Sequence, residues 1–157
     1  MPTFYMLIGV PGAGKSTYVN KMLCDVPSDT VVVSTDNLID SYAQSVGKSY
    51  TEVFTKFIKV ATSQAKHALL DAVAQNKDII LDQTNTTAKS RAAKLAAIPD
   101  HYRKVAVFFP TPAAKELERR LASRPGKHIP WNILQGMISQ LEAPTTDEGF
   151  DEVVVVS

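Results

Sequence analysis

The sequence predicts an α/β fold in which helices cover both faces of a central parallel sheet of about five strands. Three observations predict it: short runs that are almost entirely apolar, helical segments between these runs, and a glycine-rich turn directly after the first run. Strands that are buried on both faces read as continuous apolar runs, and alternation of strands with helices is typical of parallel sheets. The chain has 157 residues and 45% hydrophobic residues, so we expect a single domain over residues 1–157.

The predicted elements follow one another in regular alternation. The strand candidates are short apolar runs that end at glycine or a polar residue, at residues 3–9, 30–34, 78–81, 104–109 and 152–156. The helix candidates have apolar residues at steps of three or four, most clearly in a long helix that begins at Ser49 or Thr51 and ends near Asn76. The other helix candidates are residues 14–24, 35–45, 87–97, 112–123 and 131–141.

Composition and charge exclude several classes of protein. Seventeen basic and sixteen acidic residues give a net charge of +1, which is too balanced for a protein that coats nucleic acid non-specifically. A local basic groove remains compatible with this balance. The single cysteine, Cys24, excludes an intramolecular disulfide and favours a reducing compartment. The sequence has no signal-peptide pattern at its start and no apolar run near the roughly 20 residues that a membrane helix needs. We therefore expect a cytoplasmic protein without membrane contact.

The turn after the first strand has the sequence GVPGAGKS at residues 9–16, which matches the phosphate-binding pattern G-x-x-x-x-G-K-[ST]. Gly12 and Gly14 permit the positive φ angles that turn successive backbone N–H groups towards phosphate oxygens. Lys15 supplies a cation to the outer phosphates, and the Ser16 hydroxyl can bind Mg²⁺. The loop therefore predicts binding of a nucleoside triphosphate, which we expect to be ATP. Its predicted ATP-binding residues are Gly12, Ala13, Gly14, Lys15, Ser16 and Thr17.

Polar residues follow the second and third predicted strands, at the edge of the sheet where ligands gather. Asp36 either accepts a proton from an attacking hydroxyl or caps the next helix. Asp82 follows three apolar residues, as does the acid of the Walker B pattern that holds magnesium, so Ser16 and Asp82 are the predicted Mg²⁺ ligands. Gln83 and Asn85 are neutral polar groups suited either to ligand binding or to bracing the loop, and a turn cap is a further alternative for Asn85. The predicted acceptor-binding residues are Thr35, Asp36, Gln83 and Asn85.

Residues 118–127, which we call the lid segment, combine a helical stretch with a break at Pro125 and Gly126. Arg120 and Arg124 are four residues apart, the spacing that places two side chains on one helical face. Two guanidinium groups on one face can clamp a triphosphate and stabilise charge on a transferring phosphoryl group. The alternative is a solvated basic helix end that suits the helix dipole.

Three short segments near the end of the chain complete the pattern: His-Ile-Pro at 128–130, Glu-Ala-Pro-Thr at 142–145 and Glu-Gly-Phe at 148–150. With the loop at 9–17, Asp36, the segment at 82–85 and the two lid arginines, they resemble the 5′-kinase domain of polynucleotide kinases. This family includes the phage enzymes and the kinase half of the animal kinase-phosphatase. The resemblance implies a P-loop kinase that uses ATP and Mg²⁺ to phosphorylate the 5′-hydroxyl end of DNA or RNA. It also implies that Lys15, Asp36 and Arg124 are catalytic, with Asp36 as the general base.

The chain departs from this family at two positions near Asp36. The family usually has arginine immediately before this Asp, where the chain has Thr35, and the phage enzyme has a basic residue where the chain has Ile39. A kinase for a nucleoside, nucleotide or sugar is therefore the main alternative, and a nucleotide-dependent switch protein is a second one. The chain has no D-x-D-x-T motif, so we expect no phosphatase domain.

Overall fold

The computed structural model describes residues 1–156, and its centre is a five-stranded parallel sheet. The strands are β1 Thr3–Ile8, β2 Val31–Val33, β3 Ile79–Asp82, β4 Arg103–Phe108 and β5 Glu152–Val155. They lie in the order β2-β3-β1-β4-β5, and each neighbouring pair is parallel. The predicted fold class is therefore confirmed.

Six helices connect the strands in the described part of the chain: α1 Lys15–Met22, α2 Thr35–Ser45, α3 Tyr50–Ala74, α4 Ala88–Leu95, α5 Ala114–Ala122 and α6 Trp131–Gln140. Every predicted helix and strand is present, with its ends within two residues of the expected ones. Within residues 1–156, one element was not predicted from the sequence, a short 3₁₀ turn at Thr146–Glu148. This turn is too short to show a hydrophobic period. The Thr145 backbone N–H donates to the Glu148 carboxylate at 2.9 Å, and the Glu148 N–H donates to the Thr145 carbonyl at 3.2 Å.

The sheet has a hydrophobic core on each face because side chains alternate along every strand. On one face, Phe4, Met6 and Ile8 of β1 belong to a cluster that includes residues of α3 and α4. On the other face, Leu7 of β1 packs in a cluster with Val19 of α1. Helices thus cover both faces, and the carboxyl ends of the strands stay free to form a site.

Local capping fixes where the helices next to the site begin. The Ser34 hydroxyl, directly after β2, accepts a hydrogen bond from the Asn37 backbone N–H at 3.2 Å and starts α2. Ser49 and Glu52 form a capping box that starts α3. Because Ser34 caps α2, the carboxylate of Asp36 lies in the first turn of the helix and is not its N-cap.

Helix α3 is the longest helix, with 25 residues. Its buried positions include Val53 and Ala61, which pack against Ile39 and Ala43 of α2. No helix within residues 1–156 is both long enough and apolar enough to span a lipid bilayer.

Candidate active site

A cleft of about 600 Å³ lies beside the carboxyl ends of the central strands. Five residues predicted from separate parts of the chain line this one cleft: Lys15, Asp36, Asp82, Arg120 and Arg124. In open parallel sheets, ligands bind at the carboxyl ends of the strands. These five residues therefore meet where the fold places a ligand. Within the described residues 1–156, the predicted acceptor-binding residues Thr35, Gln83 and Asn85 are not among those that line the cleft.

The phosphate-binding loop is held in shape by its glycines. Gly12 has φ 84° and Gly14 has φ 104°, so both have the left-handed conformation that favours glycine. A Cβ atom at Gly12 would lie 2.8 Å from Cδ1 of Leu117 in α5. The backbone N–H of Gly9 donates to the Thr84 carbonyl at 3.0 Å, which ties the start of the loop to the segment after β3. The close packing of Leu117 and the hydrogen bond to Thr84 thus fix the backbone of the loop.

Lys15 lies at the beginning of α1, with its ammonium group folded over the loop. Its Nζ donates to the carbonyl oxygens of Gly9 at 2.8 Å and of Val10 at 3.0 Å. Burial lowers the pKa of Lys15 to about 8, against the opposing charges of Asp82 and Asp36. Phosphate groups bound beside this ammonium would favour its charged form, since an opposite charge nearby stabilises ionisation.

The Asp36 carboxylate is held from two sides. The Tyr50 hydroxyl donates to Oδ1 at 2.7 Å, and Lys127 Nζ donates to Oδ2 at 2.9 Å. Burial raises the pKa of Asp36, but the charge and hydrogen bond of Lys127, the hydrogen bond of Tyr50 and the charge of Arg124 bring it below its usual value. Asp36 is therefore a carboxylate at neutral pH. Neither partner was predicted from the sequence, because Lys127 is 91 residues and Tyr50 is 14 residues from Asp36 along the chain.

Asp82 ends β3 and lines the cleft together with Ser16. Burial raises the pKa of Asp82, the charge of Asp36 raises it further, and Lys15 and Lys127 oppose the shift. Residues 1–156 contain no group of three or more acidic, histidine or cysteine side chains that could hold a metal alone. Mg²⁺ usually binds through one or two carboxylates together with substrate phosphates, so a single carboxylate and a hydroxyl beside a phosphate loop fit this ion.

Two of the predicted acceptor-binding residues connect the loops after β2 and β3. Gln83 Nε2 donates to Thr35 Oγ1 at 2.9 Å, which holds these loops together. Asn85 is only 2% exposed, and its Nδ2 donates to the Leu7 carbonyl at 2.7 Å. Lys94 donates to the side-chain oxygen of Asn85. Of the three roles that the sequence left open for Asn85, which are ligand binding, bracing and a turn cap, these contacts support bracing.

A buried ion pair that was not predicted from the sequence supports the segment after β3. The Arg91 side chain is fully buried and donates to the two carboxylate oxygens of Glu148 at 2.8 and 3.2 Å. It also donates to the carbonyl oxygens of Asn85 at 2.9 Å and Thr86 at 3.2 Å. Arg91 thereby links this segment to the C-terminal part of the chain.

The arginines of the lid segment face the phosphate loop in two different ways. Arg120 donates to the Gly12 carbonyl at 3.0 Å and to Glu116 at 2.9 Å. Hydrogen bonds from Arg119 and Arg120 lower the pKa of Glu116 to about 2. Arg124 was expected to share a helical face with Arg120, but α5 ends at Ala122. Arg124 therefore lies in the following turn, although it still lines the cleft.

The sheet order, the glycine-rich loop before α1 and the position of α5 beside that loop define the P-loop kinase fold. Residues 4–144 match the family model described as AAA domain, and the chain therefore belongs to this family.

The solved structures with similar folds include RNA-related proteins and a sugar-acid kinase. A chain of the Pnkp1/Rnl/Hen1 RNA repair complex aligns with a TM-score of 0.69 and 21% identity, over 96% of this chain and 46% of that one. A fungal RNA kinase aligns with a TM-score of 0.59 and 14% identity, over 100% and 38%. A gluconokinase from Sinorhizobium meliloti 1021 aligns with a TM-score of 0.58 and 20% identity, over 99% and 82%. The chain thus spans less than half of either RNA-related protein.

Proposed function

We propose that this protein transfers the γ-phosphate of ATP to the 5′-hydroxyl end of a polynucleotide. The observation that supports it most strongly is the position of Asp36, an ionised carboxylate in the same cleft as the phosphate loop. A protein that only hydrolyses nucleotide to switch conformation has no need of a base for an acceptor hydroxyl. The carboxylate therefore favours phosphotransfer over the switch alternative.

In the proposed reaction, the acceptor oxygen forms a bond to the γ-phosphorus while the bond from phosphorus to the β–γ bridging oxygen breaks. ADP leaves with the electron pair of that bond, and Asp36 accepts the proton of the hydroxyl. Lys15 and the loop N–H groups bind the phosphates, and Arg120 and Arg124 compensate the charge of the transferring group.

The proposed cofactor of this reaction is Mg²⁺, which Ser16, Asp82 and the phosphates of ATP would hold. Its positive charge would neutralise negative charge that develops on the phosphate oxygens. Ser16 is exposed at the start of α1, where the positive end of the helix also favours anions.

The polynucleotide acceptor is supported by the resemblance of the motifs and the tail to 5′-polynucleotide kinases, and by the likeness in fold to two RNA-related structures. Thr35 and Gln83, joined by their hydrogen bond, are the proposed neighbours of the acceptor beside Asp36. The alternative acceptor is a small hydroxyl compound such as a sugar. The likeness to the gluconokinase, which extends over most of that enzyme, favours this second candidate.

A single labelling experiment distinguishes the acceptors. The protein is incubated with γ-labelled ATP and Mg²⁺ together with 5′-hydroxyl DNA, 5′-hydroxyl RNA, nucleosides, gluconate or no acceptor. Label on an oligonucleotide supports the proposal, label on a small molecule supports the alternative, and release of phosphate without acceptor labelling contradicts both.

The role of Asp36 is tested with the variant Asp36→Asn. Loss of a general base costs about 10²–10⁴ in kcat, so we expect transfer to fall by that factor while the Kd for ATP stays nearly unchanged. Asp29→Asn is the matched control because Asp29 is an exposed carboxylate between α1 and β2. An Asp36→Asn enzyme that keeps more than half of its activity would refute the assignment of the base.

A further inference from the structure

Asp36 receives its two hydrogen bonds from elements that are distant in sequence. Tyr50 is the first residue of α3, and Lys127 lies beyond the end of α5 in the lid segment. Lys127 Nζ also lies 4.3 Å from the centre of the Tyr50 ring, close enough for a cation–π contact. The Lys127 side chain is only 10% exposed, whereas Asp36 is 53% exposed. The lysine is thus enclosed, and the carboxylate stays accessible to a substrate.

The backbone around Lys127 is fixed against α3. The Thr51 N–H donates to the Gly126 carbonyl at 3.1 Å, and the His128 N–H donates to Thr51 Oγ1 at 2.9 Å. Gly126 has φ 70°, and a Cβ atom there would lie 3.0 Å from the Cβ of Ser49. Both this conformation and this close approach favour glycine. The turn of the lid segment that carries Lys127 is therefore packed against α3, and this position places Lys127 beside Asp36.

We propose that Lys127 and Tyr50 are positioning residues for Asp36 and that the three form a latch between the lid segment and the acceptor side of the cleft. The proposal rests on the proposed function, in which Asp36 faces the acceptor hydroxyl. In this latch, docking of the lid segment orients the base and carries Arg124 into the cleft in the same movement. The ionised carboxylate in turn holds the lid segment in place.

The latch leaves Asp36 able to act on an acceptor. A carboxylate has about four lone-pair sites on its two oxygens, so each oxygen can accept another hydrogen bond beside the one it already has. The hydroxyl of the acceptor can thus approach without displacing Lys127 or Tyr50. A lowered pKa makes Asp36 a weaker base, but phosphoryl transfer depends mainly on positioning and charge compensation.

The charges around Asp36 determine how the latch responds to pH. Lys127 and Arg124 favour the carboxylate, whereas burial opposes it. Lys15 and Asp82 line the same cleft and carry opposite charges. Burial, the hydrogen bond and charge of Asp36, and the charge of Asp40 in α2 raise the pKa of Tyr50. Protonation of Asp36 would remove the partner of Lys127. We therefore expect the latch to open, and transfer to stop, as the pH falls through the pKa of Asp36.

The test compares Lys127→Met, which removes the charge, with Lys127→Arg, which keeps it. We expect Lys127→Met to move the acid limb of the kcat/KM profile to higher pH and to lower kcat about tenfold, the scale of one hydrogen bond to a charged group. Lys127→Arg should keep the wild-type acid limb. Lys115→Met is the matched control, because Lys115 is an exposed lysine at the start of α5. An unmoved acid limb in Lys127→Met would overturn the proposal.

A second measurement does not depend on activity. The pKa of Asp36 is followed by ¹³C NMR of its carboxyl carbon in the full chain, and hydrogen exchange of the Thr51 and His128 amides reports docking of the lid segment. We expect a higher pKa and faster exchange in Lys127→Met than in the wild type. Equal pKa values in both proteins would refute the latch even if transfer is observed. If the wild type labels no acceptor, the proposed function fails while these two measurements still decide the latch.

Discussion

The buried pair of Arg91 and Glu148 predicts a large loss of stability from a single isosteric change. In Glu148→Gln, a guanidinium that is fully buried loses its only charged partner among the contacts of residues 1–156. Breaking a buried ion pair by removing one partner costs about 3–5 kcal/mol. Arg91 keeps the carbonyl oxygens of Asn85 and Thr86 as acceptors, and the glutamine amide oxygen can accept one hydrogen bond. We therefore expect a loss of about 2–4 kcal/mol in the free energy of unfolding.

The chain contains its own control for this prediction. Arg103 and Glu152 form an ion pair whose side chains are 49% and 45% exposed. Exposed pairs contribute about 0–1 kcal/mol, so Glu152→Gln should change the free energy of unfolding by no more than that. Both variants are compared with the wild type by urea unfolding at pH 7, with stability taken from the midpoint and the common slope. If Glu148→Gln loses no more stability than Glu152→Gln, the reasoning from burial is wrong.

The same pair predicts how stability depends on pH. Burial raises the pKa of Glu148, but hydrogen bonds from Arg91 and from the Thr145 backbone, with the charge of Arg91, bring it below the ordinary value of 4.5. A carboxyl group with a lowered pKa in the folded state contributes stability that is present above its unfolded pKa. This contribution is lost as the pH falls through the folded pKa. Unfolding measured from pH 7 downwards should therefore show a smaller acid-induced loss in Glu148→Gln than in the wild type.

Two further changes test the phosphate loop and the lid segment. Gly12→Ala places a side chain at φ 84° and 2.8 Å from Leu117, so we expect a cost of about 1–3 kcal/mol and clearly weaker ATP binding by calorimetry. Gly136→Ala in α6 is its control, because the added Cβ meets nothing within 4 Å beyond its chain neighbours and its own helix backbone. Equal ATP affinity in the two variants would contradict the prediction. Arg124→Met should lower kcat by about 10²–10³ with little change in the KM for ATP, as expected for loss of a group that stabilises the transition state. A raised KM with unchanged kcat would instead assign Arg124 to ground-state binding.

The fold and the phosphate loop could be predicted because their signals are local. Apolar runs with helical segments between them predict a parallel sheet, and the residues of a phosphate loop are adjacent in the chain. Asp36 and Asp82 could be placed at one edge because both follow strands of the same sheet. These predictions need only the order of the elements and the direction of the strands.

The partners of the site residues could not be predicted because they depend on tertiary packing. Lys127 and Asp36 are 91 residues apart, and Arg91 and Glu148 are 57 apart. Neither spacing corresponds to a helical or strand period, so no local pattern indicates that these side chains meet. Asn85 illustrates the same limit, because its possible roles differ in which groups surround it after folding.

The position of Ile39 changes the meaning of one departure from the polynucleotide kinase pattern. The side chain of Ile39 is fully buried and packs with Val53 and Ala61 between α2 and α3. A basic residue at this position would point into that packing rather than towards an acceptor. The cation beside Asp36 comes from Lys127 instead, on the lid segment. Selectivity for the acceptor is therefore expected to depend on docking of the lid segment rather than on the first turns of α2. Lys127→Met, which keeps Arg124, should accordingly change the ratio of kcat/KM between oligonucleotide and small acceptors more than Ile39→Val does.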